Sequence, residues 1–557
     1  MKYNGAEIVV KLLENQGVEY IAGIPGGFNL PIYDALYYSK ITHILARHEQ
    51  GAAFIAQGIS RTTDKVGVCM ATSGPGATNL LTAIADAKLD SIPLVAITGQ
   101  VPLSAIGTDA FQEVDAYGLT IPITKHNFLV RHTEDLFTII PEAFRIAQEG
   151  RPGPVLIDIP KDVQTKIIEI EDFPSFAESM HKKGKAELKV SALKNIADVI
   201  NKAKKPIIFA GGGITSSKSN DDLYNFAKKS NIPVTLSLMG IGAFPHDDEL
   251  SLGMLGMHGA PYTNYLINDL IIALGVRFDD RATGNVNDFC PNAKIIHVDI
   301  DASEINKIKS SNISMVANVK DFLVDILPYI EKRLRSKWLD KVREYKIKYP
   351  LPAYNNPIHP ANIIPFIASK VSEDTIVATD VGEHQMWTAQ RYPINKPKTF
   401  LTSGGLGTMG FGLPVAIGAA LANKDKEILC FSGDGSILMN IQELATLADF
   451  GLNIKVIILN NNHLGLVRQQ QELFYNKHYI ASRFISNPDF KLIAQGFGIG
   501  SCNLAEEENP LDKLEEILKT PGPYVINIPV PAMEKVLPMV APGGSNTEMI
   551  GGVVYND

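Results

Sequence analysis

The chain has 557 residues, 45% of them hydrophobic and 20% charged, and a formal net charge of -8. At about 100–200 residues per domain this length suggests three domains, each able to bury its own core. The acidic balance argues against a nucleic-acid binder, which carries a basic face. No apolar run is long enough to span a bilayer.

The N-terminal stretch MKYNGAEIVVKLLENQG starts an amphipathic helix at once and lacks a leader pattern, so a cytoplasmic location is expected. Cys69, Cys290, Cys430 and Cys502 form no CxxC pair. Neither a zinc site nor a redox dithiol is suggested, and a reducing compartment fits.

Along the chain, short runs rich in Val, Ile and Leu alternate with helical patterns. They are VGVCMA, IPLVAITG, GPVLIDIP, PIIFAGGG, DLIIALG, KIIHVDID, TIVATD, EILCFSG, NIKVIILNN and YVINIPV. Near-continuous apolar runs bounded by Gly, Pro, Asp or Asn read as strands buried on both faces of a parallel sheet. The predicted class is α/β, with three doubly wound, mostly parallel-sheet domains. Charged or Pro/Asn-rich stretches from about Glu169 to Lys189 and from about Lys332 to His359 read as linkers. They give domains at 1–170, 190–332 and 355–540, followed by a tail at 541–557.

In the first domain Glu49 follows the strand HILAR and opens a helix of small residues, GAAFIAQG, against which another subunit could pack closely. The segment SGPGATNLLTAIADAKLDSIPLVAITG has a counterpart in the last domain, SGDGSILMNIQELATLADFGLNIKVIILNN. Both read as S-G-x-G, a helix, then a buried strand, which suggests two related sheets facing a shared site.

The second of these segments carries the most chemistry. Asp434 follows one strand and Asn461 the next, one strand–helix–strand unit later, so both return to the same sheet edge. One carboxylate and one amide oxygen make a sparse oxygen site that suits Mg²⁺, which keeps water and phosphate oxygens as its remaining ligands. Gly433 and Gly435 let the backbone approach a diphosphate, and a helix N-terminus supplies N–H donors. A GDGS alone reads as a surface turn. The flanking strand and helix and the Asn460–Asn462 run favour the metal reading.

This GDG…NN arrangement resembles the signature of thiamine-diphosphate enzymes. The segments GIPGGFNLPIYDAL, RHEQGAAFIAQG, SGPGATNL, TDAFQEVD, GRPGPVLIDIPKDVQ, LGMLGMHG, GVRFDDR, HVDIDASEI, SGGLGTMGFGLP, FSGDGS and NNNHLGLV, with the C-terminal VLPMVAPGGSNTEMI, resemble the catalytic subunit of acetolactate synthase. The resemblance covers nearly the whole chain. It implies a carboligase that decarboxylates pyruvate on thiamine diphosphate. The remaining two-carbon unit is joined to a second pyruvate, giving 2-acetolactate, or to 2-ketobutyrate. Both products feed branched-chain amino acid synthesis.

The resemblance also implies residue roles. Asp434, Asn461 and the backbone carbonyl of His463 would ligate Mg²⁺. Glu49 would bond the pyrimidine ring and promote its imino form, a task suited to a buried carboxyl of raised pKa. Gly27 would let the backbone approach the cofactor, Phe111 would shape the pocket, Gln112 would bond the reacting species, and Lys161 would draw keto acids to the entrance. Val381, Gly382, Glu383, His384, Gly435 and Ser436 would lie along the diphosphate, Gly407 would also contact thiamine diphosphate, and Met409 would prop thiamine in its bent form. FAD, in a non-redox role, would contact Arg151, Gly211, Gly212, Gly213, Met257, His258, Gly259, Gly275, Arg277, Asp279, Asp299, Ile300 and Glu304. Arg281 would hold the carboxylate of the second keto acid through its planar fork, beside Met257 and Gln470. The tail would be a lid. A homodimer or homotetramer is implied, each site shared between two chains, with a small regulatory subunit.

Two positions depart from the family. Gln470 stands where most members carry a Trp that favours 2-ketobutyrate, a feature shared with the enteric isozyme I type, so little preference over pyruvate is expected. Glu383 stands where Gln is common, and a carboxylate beside a diphosphate should repel it unless it points away or is paired. The rival readings are a flavin-redox pyruvate oxidase on the same plan and a non-catalytic assembly protein.

Overall fold

All ten Val/Ile/Leu runs form strands in the computed structural model, which describes residues 1–171, 173, 188–266 and 268–552. They build three six-stranded sheets whose pairings are all parallel. The first spans Tyr20–Gly23 to Pro154–Pro160, the second Pro206–Ala210 to Ile313–Val316, and the third Ile376–Thr379 to Tyr524–Pro529. An antiparallel pair, Lys2–Asn4 with Ile167–Glu169, closes the first domain.

Counting the strands of each domain along the chain, the middle sheet has the order 3-2-1-4-5-6. This is the arrangement that binds dinucleotides at the point where strand order reverses. The outer two sheets share a different order, 2-1-3-4-6-5. The echo between the two S-G-x-G segments is thus part of a repeated topology. In each outer sheet the switch point lies between the first and third strands.

The helices that join the second and third strands of the two outer domains, Glu49–Thr62 and Gly412–Ala422, pack against each other. A Cβ on Gly58 would overlap the Val415 carbonyl, and one on Gly418 would overlap the Ile55 carbonyl. Two glycines therefore allow backbone-to-backbone contact, and Phe54 meets Phe411 edge to face at 5.2 Å beside it. This corrects one expectation. The small-residue face of the Glu49 helix is covered by the same chain: Gly51 faces Glu443 and Gly58 faces Val415 of its own C-terminal domain, and residues 51–61 are all buried.

Two further expectations change. Most of the first linker lies outside the described residues. The second contains a helix, Ser336–Lys348, docked on the middle domain by buried Trp338, whose Nε1 donates to the Pro206 carbonyl at 3.0 Å. The charged residues around this one aromatic anchor made the stretch read as a linker. The single helix expected after GDGS is broken into Asp434–Ile437 and Glu443–Phe450. Between them, buried Asn440 donates its side-chain amide to the Gly410 carbonyl at 2.8 Å. That bond ties the break to a neighbouring loop.

Candidate active site

Most motifs singled out from the sequence fall at the C-terminal edge of a sheet, with Arg151, before the strand Pro154–Pro160, an exception, and the most telling ones flank the three switch points, where α/β folds bind ligands. In the C-terminal domain Gly433 pairs with Leu459, so Asp434 and Asn460 stand side by side on adjacent strand ends. Asp434 is buried, and desolvation pushes its carboxyl up to about 6, against hydrogen bonds from Asn487 and main-chain N–H groups. The Asn487 amide nitrogen sits 2.7 Å from Asp434 Oδ2, 3.0 Å from Asn460 Oδ1 and 3.1 Å from Asn462 Oδ1. Its two hydrogens face three acceptors. Such an oversubscribed cluster of hard oxygens suits a small divalent cation. Among the described residues no group of three or more His, Cys, Asp or Glu side chains is placed to hold a metal ion, so a cation here would rest on one carboxylate with amide and main-chain oxygens.

Asn461 is turned inward. Its Oδ1 accepts the His463 N–H at 3.0 Å, and its Nδ2 donates to Glu383 Oε2 at 2.8 Å. Glu383 is 3% exposed, and burial pushes it up to about 8, with the Arg468 guanidinium 3.7 Å away opposing the shift. Arg468 is itself held by Glu472 at 2.7 Å and by the Glu534 carbonyl. Burial thus favours the protonated form of Glu383, and Arg468 and Asn461 face the charge it would otherwise carry, so its carboxyl is paired and turned away from open space. His384 packs against Gly382 and Gly433, and burial lowers it to about 3, keeping the imidazole neutral. Ser436 Oγ is 3.5 Å from its Nε2. Gly435 faces Leu464 and Phe484 rather than open space, so its missing side chain serves packing.

The N-terminal switch point is more open. Gly27 is exposed, with nothing within 4 Å of a Cβ built on it. Glu49 is half-buried at the start of its helix, and its Oε2 accepts from Asn79 Nδ2 at 2.9 Å. Gln112 has φ +60° and packs its backbone against Gly74, in a loop pinned by Glu113, which accepts the N–H groups of Gly107, Thr108 and Ala110. Phe111 beside it is 80% exposed. The Lys161 ammonium lies 5.7 Å from the centre of the Phe28 ring. The fold gathers these residues round one sheet edge.

A cavity of about 710 Å³ lies where all three domains meet. Arg151, Gly212, Gly213, Met257, His258, Gly275, Arg277, Asp279, Arg281, Asp299, Ile300, Glu304, Val381, Gly407 and Gln470 line it. Gly211 and Gly259 do not. Gly211 and Gly213 contact Gly275 backbone to backbone, which brings the first and fourth strands of the middle sheet together at its switch point. Arg151 reaches from the first domain to Glu304 at 2.7 Å and Asp301 at 3.3 Å. His258 is buried and lowered to about 4 by burial, and its Nδ1 lacks a partner. Arg281 remains largely exposed, 3.5 Å from Met257 Sδ. Met409, half-buried, follows the loop that carries Gly404 and Gly407. The described part of the tail crosses this region. Val540 donates to the Met257 carbonyl, Gly544 accepts from Asn285, and Asn546 donates to the Ala282 carbonyl, each at 2.8 Å. Residues 553–557 lie outside the described residues.

Three models of thiamine pyrophosphate enzymes match in succession. They are the N-terminal TPP binding domain at residues 3–119, the central domain at 193–326 and the C-terminal TPP binding domain at 380–528. The large subunit of acetolactate synthase isozyme 1 from Escherichia coli is 54% identical over 99% of this chain and 98% of its own length. The chain belongs to the acetolactate synthase large-subunit family. Isozyme 2 of the same bacterium is 43% identical over 98% of this chain, and the chloroplastic enzyme of Arabidopsis thaliana 44% over 98%. Acetolactate synthesis dependent on thiamine diphosphate is accordingly its activity.

Sequence reasoning had missed Asn487, Asn460 and Asn462 in the oxygen cluster, and Arg468 behind Glu383. The run of three Asn was visible as a whole, but only its middle member was singled out. Asn487 comes from a loop with no pattern of its own.

Proposed function

We propose that the chain joins two 2-keto acids at a site made from the N-terminal switch point of one copy and the C-terminal switch point of another. The half-exposed Glu49 carries this reading. Its role calls for a desolvated carboxyl, and the described chain leaves it partly open beside an equally open Gly27. A second copy would complete its burial, in a homodimer or homotetramer. Thiamine diphosphate, when bound, supplies the carbon nucleophile and the electron sink for loss of CO₂. Glu49 holds the proton that activates it, Gly27 admits its ring, and Met409 props it. The oxygens of Asp434, with Asn461 and the His463 carbonyl or the neighbouring Asn460 and Asn462, hold Mg²⁺ against the diphosphate. Val381, Gly382, Glu383, His384 and Ser436 border that position.

The large cavity holds FAD without a redox task. Lys161 draws keto acids in, Gln112 bonds the reacting group, and Phe111 walls the pocket. The Arg281 fork takes the carboxylate of the acceptor. Gln470, a small polar group at the cavity wall, leaves pyruvate and 2-ketobutyrate weakly distinguished. A small regulatory subunit is a further partner, as the relatives' designation as large subunits suggests. Among the described residues no helix is long and apolar enough to cross a membrane, and we place the enzyme in the cytoplasm.

The Glu49→Gln variant tests this. It should lose more than about 100-fold in kcat, the range for a positioned proton-transfer group, while circular dichroism and flavin content stay unchanged. Activity within about 3-fold of wild type would overturn the assignment. Flavin bleached by pyruvate in the absence of oxygen, at the rate of turnover, would favour the oxidase reading instead.

A further inference from the structure

A second group of charged side chains, outside the site residues above, is buried between the two outer domains. Arg61 lies in the last turn of the helix Glu49–Thr62, with a side chain 4% exposed, and the Asp86 and Asp90 side chains facing it are fully buried. One guanidinium nitrogen serves Asp90 Oδ2 at 2.8 Å, Asp86 Oδ2 at 3.1 Å and Gln57 Oε1 at 2.9 Å. The other donates to the Thr402 carbonyl at 3.0 Å, and the plane stacks 4.9 Å from the Phe411 ring. Two carboxylates share one cation, so the cluster carries an excess negative charge that burial makes costly. Burial and the neighbouring Asp90 carboxylate push Asp86 upward.

The remaining donors come from one place. Ser403 Oγ donates to Asp86 Oδ1, and Thr408 Oγ1 joins it at 3.3 Å. The Gly405 N–H reaches Asp90 Oδ1 at 2.7 Å, and the Gly404 N–H reaches Asp90 Oδ2 at 3.2 Å. Thr408 N–H closes the loop onto Ser403 Oγ at 2.9 Å. The loop from Ser403 to Thr408 is wrapped round a pair of carboxylates that belong to another domain. Asp90, Ser403, Gly404 and Gly407 line the large cavity, and Met409 follows directly.

We infer that Arg61, Asp86 and Asp90 are positioning residues: they set the shape of the 403–409 loop and, through it, the affinity of the site for its cofactors. This rests on the proposed placement of flavin in the cavity and thiamine diphosphate beside Met409. A cluster that merely fastened the domains together would change stability and leave cofactor affinity alone. The part-exposed Asp64–Lys398 ion pair, at 2.5 Å, joins the same two domains without touching the loop, with Lys218 of the middle domain on the same carboxylate at 2.8 Å, and serves as the control.

The experiment compares Asp90→Asn, Ser403→Ala and Asp64→Asn as holoenzymes. Flavin release on dilution is followed by its fluorescence, and the apparent KM for thiamine diphosphate is measured with Mg²⁺ present. Asp90→Asn should raise the flavin Kd and that KM by about 10-fold, the low end of what losing one hydrogen bond to a charged group costs. At saturating cofactor, kcat should fall by a smaller factor than the rise in either constant, because no reacting atom has been touched. Ser403→Ala should move in the same direction by less, and Asp64→Asn should leave both constants unchanged. A lowered Tm with wild-type cofactor constants in Asp90→Asn would overturn the inference, as would an equal loss in Asp64→Asn. If wild type retained no flavin, the proposed cavity assignment would fall, and the thiamine diphosphate constants alone would decide this inference. Should Asp90→Asn not fold, Ser403→Ala decides.

Discussion

The two outer domains share one strand order and differ in how they finish it. In the C-terminal domain the switch point is sealed: Asp434, Glu383 and His384 are all buried, and their side chains are committed to neighbours. The N-terminal switch point is unfinished, with an open Gly27 turn, a half-exposed Glu49 and an exposed Phe111. One topology thus supports two tasks. In the proposed reading the sealed end would preorganise oxygens for a cation, where misplacement is expensive, and the open end would present Glu49 as the proton-handling group.

The largest effect should come from the sealed end. Asp434→Asn removes the one carboxylate of the oxygen cluster, and activity at limiting Mg²⁺ should fall by more than about 100-fold, beyond the ~10–100-fold typical of losing an outer partner alone. Titration of the variant with Mn²⁺, followed by electron paramagnetic resonance, checks that the loss is one of metal affinity. Next comes the seam between the domains. Gly418→Val would drive side-chain atoms into the Ile55 carbonyl, an overpacking that costs about 1–3 kcal/mol or more. Urea unfolding should show it as a lowered midpoint.

A smaller shift is expected at the cavity wall. Gln470→Trp adds apolar surface for one extra methylene, worth ~1–3 kcal/mol at most. Competition between pyruvate and 2-ketobutyrate should move towards the latter by about 10-fold. The smallest effect concerns pH. Burial raises Asp158 to about 7, against hydrogen bonds from Thr98 and Gln100. Between about pH 4 and 7 the unfolded chain has released a proton that the folded chain keeps, so stability falls as pH rises through that window. Asp158→Asn should flatten the slope of the urea midpoint between pH 5 and 8 without moving catalysis.

The central strands were legible because burial on both faces leaves continuous Val, Ile and Leu runs, as in NIKVIILNN. Edge strands such as Gly500–Asn503 and Phe400–Leu401 were not singled out, since a strand covered on fewer sides is free to be short and polar. The motif glycines were visible, but their purposes were mixed. Gly27 faces open space, whereas Gly211, Gly213 and Gly275 serve the approach of two strands. Glu383 looked like an obstacle until Arg468 and Asn461 were placed beside it. Long-range partners of that kind leave no local pattern. The Arg61–Asp86–Asp90 cluster was invisible for the same reason, because its donors lie more than 300 residues further along the chain.

The claim that each site draws one end from each of two copies is tested most directly by mixing two dead proteins. Glu49→Gln and Asp434→Asn are purified separately, shown to be inactive, then combined under conditions that allow subunit exchange. Sites shared across a two-fold interface predict that each mixed dimer contains one intact site, so activity returns to roughly a quarter of wild type at equal mixing. No recovery, with exchange confirmed by mass spectrometry, would place both residues in the site of a single chain and contradict the account.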